Sequence, residues 1–324
     1  MGTAGGAPAG AGRRATAAAV IDVGSNSVLL LVVAVEPDGR ARIVDAALET
    51  TRLGTRLRDG GALDASARAR TVAAVAAFAA RARGAGAGQV WAFATAAVRR
   101  AADGAAFVRD VEQAAAVPVE VLSGAREAAL AYAAVAHALP GLEGPLLVVD
   151  VGGGTTELTL GQGDAVTETA SLPLGALALT ETGVGDLAAR VDDLLGDSEL
   201  LARAARTGAQ LAASGGTATA LAALDLGLAR YDPQRVHGHA LGREALAALL
   251  ARVVTLPAAT LASVAGLDPG RAAILPAGAV VLDRVVAAAR VAAVTVSDHG
   301  VRHGYLRERL AQAGVRADLR ALWS

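Results

Sequence analysis

Two stretches of the chain set an aspartate just ahead of a turn of small, hydrogen-bonding residues: Val20-Ile21-Asp22-Val23-Gly24-Ser25-Asn26-Ser27 and Val148-Val149-Asp150-Val151-Gly152-Gly153-Gly154-Thr155. Such turns let backbone N–H groups close on phosphate oxygens, and the preceding carboxylate can hold a hard cation directly or through water. The chemistry this suggests is the gripping of phosphoryl groups. One Asp-x-Gly turn is ordinary; a second on the same plan argues for duplicated lobes that face each other across a cleft, each pointing one turn into it. The copies differ in one place. With Asp22 aligned on Asp150, Leu29 falls opposite Glu157, so the second hairpin carries a carboxylate where the first carries a core residue.

The elements that must carry these residues read as alternating strands and helices. Ala19 to Ile21 and Val28 to Val35 form a hairpin around the first turn, with a polar return strand through Arg40 to Thr51. Asp64 caps a helix through Arg83, Val90 to Thr95 is a strand, and Asp103 to Ala116 a helix. A short strand, Val119 to Leu122, leads to Ser123, which caps a helix to about Leu139. Gly141, Gly144 and Pro145 then punctuate the chain before the strand Leu146 to Val149 opens the second lobe. Helices follow Ser214-Gly215-Gly216 and span Arg243 to Val254, and Pro276 is expected to kink or split a helical region from Pro269 to Arg290. Residues 1–14 are rich in Gly, Ala and Pro and read as an unstructured tail.

Composition bounds the function. The 324 residues, 53% hydrophobic, suit two domains rather than one. A net charge of −1 supplies no global field for a polyanion, which disfavours nucleic acid as a partner and leaves phosphate affinity to local clusters. All 30 basic residues are arginine, a side chain that holds phosphate oxygens in a fork. The absence of cysteine removes disulfides and thiolate metal sites. No apolar run approaches the roughly 20 residues of a membrane helix, and the reading is of a cytoplasmic protein. His237-Gly238-His239 has metal-like spacing without a third clustered ligand and reads as a polar turn. The apolar positions from Val72 to Phe78 read as core.

Asp22 to Ser27 and Asp150 to Glu157 resemble the paired phosphate loops of the exopolyphosphatase and guanosine pentaphosphate phosphatase family, within the actin-like, sugar kinase and Hsp70 superfamily. The resemblance continues through Ala94-Thr95-Ala96-Ala97-Val98-Arg99, Ser123-Gly124-Ala125-Arg126-Glu127-Ala128, Ser214-Gly215-Gly216-Thr217, Leu275-Pro276-Ala277-Gly278 and Val296-Ser297-Asp298-His299-Gly300-Val301-Arg302. It implies an α/β fold of two duplicated actin-like (ribonuclease H-like) lobes: residues 15–123, completed by C-terminal helices within 303–324, and residues 124–302. It further implies Mg²⁺-dependent hydrolysis of terminal phosphate from inorganic polyphosphate.

In that family Glu127 matches the proposed base that activates water, while Asp150 and Glu157 match an acidic pair that binds metal or positions water, supported by Asp22. Arg99 matches a phosphate-gripping arginine. The two turns and Ser214 to Thr217 are the implied phosphate contacts, with Arg271 and Arg302 secondary. Pairing of two copies is a further family-based expectation.

Two positions depart from the common pattern: Arg126 stands where an acid is usual, and His303 replaces the glutamate of a Gly-Leu-Arg-Glu-Gly run. Other readings stay open. Guanosine pentaphosphate is the alternative substrate, a phosphate sensor without catalysis the non-enzymatic one, and an ATP-dependent kinase the weakest, because the Glu127 motif points to water as nucleophile.

Overall fold

The computed structural model describes residues 15–182, 186–196, 198–320 and 322; the stretch 1–14 lies outside the described residues. The first sheet contains β1 (Thr16–Val23), β2 (Ser27–Val35), β3 (Ala41–Thr50), β4 (Gln89–Ala94) and β5 (Val119–Val121), in the order β3-β2-β1-β4-β5. The second contains β6 (Pro145–Val151), β7 (Thr156–Gln162), β8 (Ala165–Leu172), β9 (Gln210–Ser214), β10 (Ala240–Gly242) and β11 (Ala293–Val296), in the order β10-β11-β9-β6-β7-β8.

Remove the edge strand β10 and the two sheets have one plan. Three antiparallel strands are followed by two that run parallel to the first, in the order of a ribonuclease H-like lobe. The central strands β1 and β6 are buried along most of their length, as strands covered on both faces must be. Their apolar runs carry the hairpin registers. Asp22 pairs with Leu29 and Asp150 with Glu157, so the sequence alignment of the two turns is also a structural one.

The helices start where their caps put them. Asp64 accepts from Ala67 N–H ahead of the helix Ala65–Gly84, whose Ala74, Val75 and Phe78 are buried. Ser123 caps the helix Gly124–Ala138 by accepting from Arg126 N–H at 3.2 Å. Pro276 splits rather than kinks its region: it sits in the first turn of the helix Leu275–Ala288, where its missing N–H costs nothing, behind a short 3₁₀ turn Pro269–Arg271.

Two helices join the halves of the molecule. In the helix Gly124–Ala138, Leu130 and Ala131 pack with first-sheet residues Val20, Leu31 and Phe93, whereas Tyr132 and Val135 pack with second-sheet residues Leu146 and Val148. The helix Val301–Gln312 places Tyr305, Leu306 and Leu310 in the same core as Val20 and Leu31. The Tyr305 and Phe93 rings meet at 4.7 Å, a contact worth about 0.5–1.5 kcal/mol beyond its area. Among the described residues no helix is long and apolar enough to cross a membrane.

Candidate active site

The two turns close in the same way. Gly24 N–H donates to Ser27 O at 3.0 Å, and Gly152 N–H to Thr155 O at 2.9 Å. They face each other closely enough to touch. A Cβ on Gly153 would lie 3.1 Å from Asn26 N, and one on Gly154 only 2.7 Å from Ser25 Oγ. The glycines of the second turn are therefore required by the close approach of the first turn as well as by any phosphate.

Around this contact lies a cavity of about 660 Å³ walled by both halves of the molecule. Asp22, Ser25, Asn26, Ser27, Glu127, Asp150, Gly152 to Thr155, Gly215, Gly216, Thr217, Arg271 and Arg302 all line it. Arg99, Glu157 and Ser214 stand behind that wall, each tied to a residue of the site. Beyond the turns the cavity continues past Ala220, Tyr231, Pro233, Leu267 and Ile274, a largely apolar recess.

Glu127 occupies the first turn of its helix and is buried to 8% exposure. Arg99 reaches it at 3.1 Å and also donates to Leu122 O at 2.6 Å. The family resemblance gives Arg99 a grip on phosphate; the structure puts it in the short helix Ala96–Arg100 with its guanidinium on Glu127. Burial pushes Glu127 up to about 7; the Arg99 charge and hydrogen bond oppose this, while Asp150 and Asp22 add to it.

The other carboxylates are under similar stress. Burial lifts Asp22 to about 7, opposed by Arg302 and reinforced by Asp150. Asp150 is also raised by burial, although Ser214 Oγ donates to it at 3.0 Å and Arg271 is nearby. Glu157 lies well above the usual carboxylate range, first through burial and then through repulsion from Glu127 and Asp150. Ser171 Oγ donates to Glu157 at 2.9 Å. Ser171 on β8 went unnoticed in the sequence, because no local motif marks a residue whose role comes from the register of a neighbouring strand.

Glycines admit two of these groups. Gly215 has φ of +83°, and a Cβ there would come within 2.4 Å of Asp150 Oδ1; a Cβ on Gly216 would overlap the Arg271 guanidinium at 1.6 Å. Ser214-Gly215-Gly216 thus seats a carboxylate and an arginine rather than forming a simple helix start.

The donor set fits a hard divalent cation: four carboxylates, Glu127 and Glu157 buried and Asp22 and Asp150 half-buried, all raised in pKa first by desolvation, with no thiolate in the chain. Among the described residues no three His, Asp or Glu side chains lie close enough to cage an ion by themselves.

The two departures from the family pattern have structural roles. Arg126 turns away from the cavity onto Glu308 and Glu120, and ties its helix to Val301–Gln312. His303 is buried, accepts from Gly300 N–H at 3.2 Å and stacks on His299 at 4.3 Å. His237 packs against His299 at 4.9 Å.

Comparison with known proteins agrees with this architecture. The profile of the Ppx/GppA phosphatase family matches residues 32–313. Exopolyphosphatase 2 of Mycobacterium tuberculosis is 29% identical over 313 residues, covering 89% of this chain and 97% of that protein. The crystal structure of the Aquifex aeolicus Ppx/GppA family member superposes with a TM-score of 0.75 at 28% identity, over 92% of this chain and 99% of that one. An exopolyphosphatase from Cytophaga hutchinsonii has the same fold, with a TM-score of 0.84 at 22% identity, over 93% and 99% of the two chains.

Proposed function

Because the chain belongs to the Ppx/GppA phosphatase family, we propose that it is an exopolyphosphatase that hydrolyses the terminal phosphoanhydride of inorganic polyphosphate. The observation that carries this reading is Glu127, a buried carboxylate with a raised pKa, oriented by Arg99 on the wall of a cavity formed by both turns. The name of the M. tuberculosis relative supports the same substrate.

In this reading the amides of residues 25–27 and 153–155, with Ser214 to Thr217, cradle the substrate's last phosphates, and Arg271 and Arg302 offset their charge. Glu127 takes a proton from water as the water oxygen bonds to the terminal phosphorus. The bond from that phosphorus to the bridging oxygen breaks, releasing inorganic phosphate and a chain one unit shorter. Arg99 holds Glu127 in orientation and keeps its pKa from climbing further. Mg²⁺, held by one or two of Asp22, Asp150 and Glu157 with water and phosphate oxygens, would neutralise the charge of the terminal phosphate and the leaving chain.

A second reading has its own observation. The apolar recess past Ala220, Tyr231 and Ile274 offers a nucleoside a place that a bare phosphate chain does not use, which favours guanosine pentaphosphate. The test is Mg²⁺-dependent phosphate release from polyphosphate and from guanosine pentaphosphate, by the wild type and Glu127→Gln. Polyphosphate turnover lost in the variant upholds the first reading, and preference for the nucleotide selects the second. Binding without turnover of either leaves a sensor.

A further inference from the structure

Each of the two turns is braced by a neighbouring segment of its own lobe. In the first lobe, Thr51 and Arg52 N–H donate to Asn26 O at 3.1 and 2.8 Å, and Gly54 N–H to Ser25 O at 2.8 Å. In the second, the start of the helix Ala176–Glu181 does the same: Ala176 N–H donates to Gly152 O at 2.9 Å, and Leu177 and Ala178 N–H to Gly153 O at 2.9 and 3.1 Å. The braces occupy the carbonyls of Ser25, Asn26, Gly152 and Gly153 and none of the turns' N–H groups.

The two braces also hold each other. Glu181, the last residue of the second brace, accepts from Arg56 N–H at 2.6 Å and from the Thr55 hydroxyl, across 125 and 126 positions of sequence. Arg52 and Arg56 both sit at φ of +53°, a left-handed conformation that a side-chain-bearing residue keeps only where its surroundings hold it. Elsewhere the second turn takes one long hydrogen bond from the first lobe, Arg100 to Gly154 O at 3.4 Å, and Gly153 and Gly154 lie close against Asn26 and Ser25, which sets a minimum distance.

We propose that Glu181 clasps the two braces and thereby sets the gap between the phosphate-facing turns, which makes it a positioning residue for the hydrolysis proposed above. The role rests on that reading of the cleft, but the clasp itself is a statement about geometry. A pre-set gap keeps the molecule in its binding-competent state. Losing the clasp multiplies the apparent affinity by the competent fraction, and so weakens it, while the chemistry of the assembled site is unchanged.

The chain contains no cysteine, so nitroxide labels on Ala69→Cys and Ala202→Cys, exposed positions on the helices Ala65–Gly84 and Glu199–Thr207, report the separation of the lobes without background. In the full chain Glu181→Ala and Thr55→Val are each expected to broaden and lengthen the distance distribution, and Thr55→Ser, which keeps the hydroxyl, to leave it as in the parent. With short-chain inorganic polyphosphate and Mg²⁺, Glu181→Ala is expected to raise KM about tenfold with kcat within about twofold. An unchanged distance distribution in both Glu181→Ala and Thr55→Val overturns the clasp. A fall in kcat with KM unchanged overturns the positioning role. A broadened distribution in a protein that turns over no polyphosphate upholds the clasp and counts against the hydrolysis reading instead.

Discussion

Glu127 and Arg99 form a tuned pair. A carboxylate in a helix's first turn is ordinary, but this one is nearly dry, and Arg99 is the main influence holding its pKa down against burial. Glu127→Gln keeps the shape and removes the base, so kcat should fall by roughly 10²–10⁴-fold with the fold intact. Steady-state kinetics beside circular dichroism check this. Arg99→Leu acts in the other direction: without the guanidinium the carboxyl is harder to ionise, so the acid limb of the pH–kcat/KM profile should move to higher pH. A profile that stays in place would show that Arg99 does not act through Glu127.

Turns and helix starts govern the next scale. The glycines of the second turn and of the Ser214 helix start are spacing devices. A Cβ on Gly216 overlaps Arg271 outright, so Gly216→Ala should expel that guanidinium and raise KM for polyphosphate by roughly an order of magnitude, as expected for a lost charge-assisted contact; isothermal titration would register the weaker binding. Ser123 works through the helix it starts. Ser123→Ala removes the hydrogen bond to Arg126 N–H and should lower stability by about 1 kcal/mol in urea unfolding. Glu127 lies in the same first turn, so the variant should also lose activity beyond what the stability change accounts for.

The whole molecule responds to pH through two opposed sets of buried groups. Asp22 and Glu127 are raised to about 7 in the folded protein from 3.8 and 4.5. The folded state therefore binds their protons more tightly, and their contribution to stability is lost as pH rises through about 7. His299, depressed by burial to about 3, and His303, depressed well below 6.5, act oppositely: the unfolded chain takes up their protons first, so stability is lost as pH falls below about 6.5. Without divalent cation the two sets offset each other between about pH 4.5 and 6.5, and the thermal midpoint should fall from about pH 6.5 to about pH 8 as the last carboxylate protons leave. Added Mg²⁺ should raise the midpoint more at about pH 8 than at about pH 5, because it competes with protons for the same oxygens. An equal shift at both would count against a cation at these carboxylates.

The sequence by itself determined the hairpins, their register, most helix starts and the set of acidic residues. Each depends on contacts a few positions apart: the Asp-x-Gly turns close within five residues, Asp64 and Ser123 cap the helices that follow them, and the apolar runs of β1 and β6 make them central strands. Repetition of the Asp22 plan at Asp150 then carried the inference from one lobe to two. Only the tertiary structure decided what these residues do to one another. Arg99 finds Glu127 rather than the cavity, and Arg126 turns outward to Glu308, because the packing of Gly124–Ala138 between the sheets sets which way each side chain leaves the helix. Ser171 under Glu157, Arg271 against Gly216, and Glu181 on Thr55 and Arg56 are contacts between elements whose separation in the chain carries no local signal. Their placement follows from how two similar lobes meet, which no single stretch of sequence encodes.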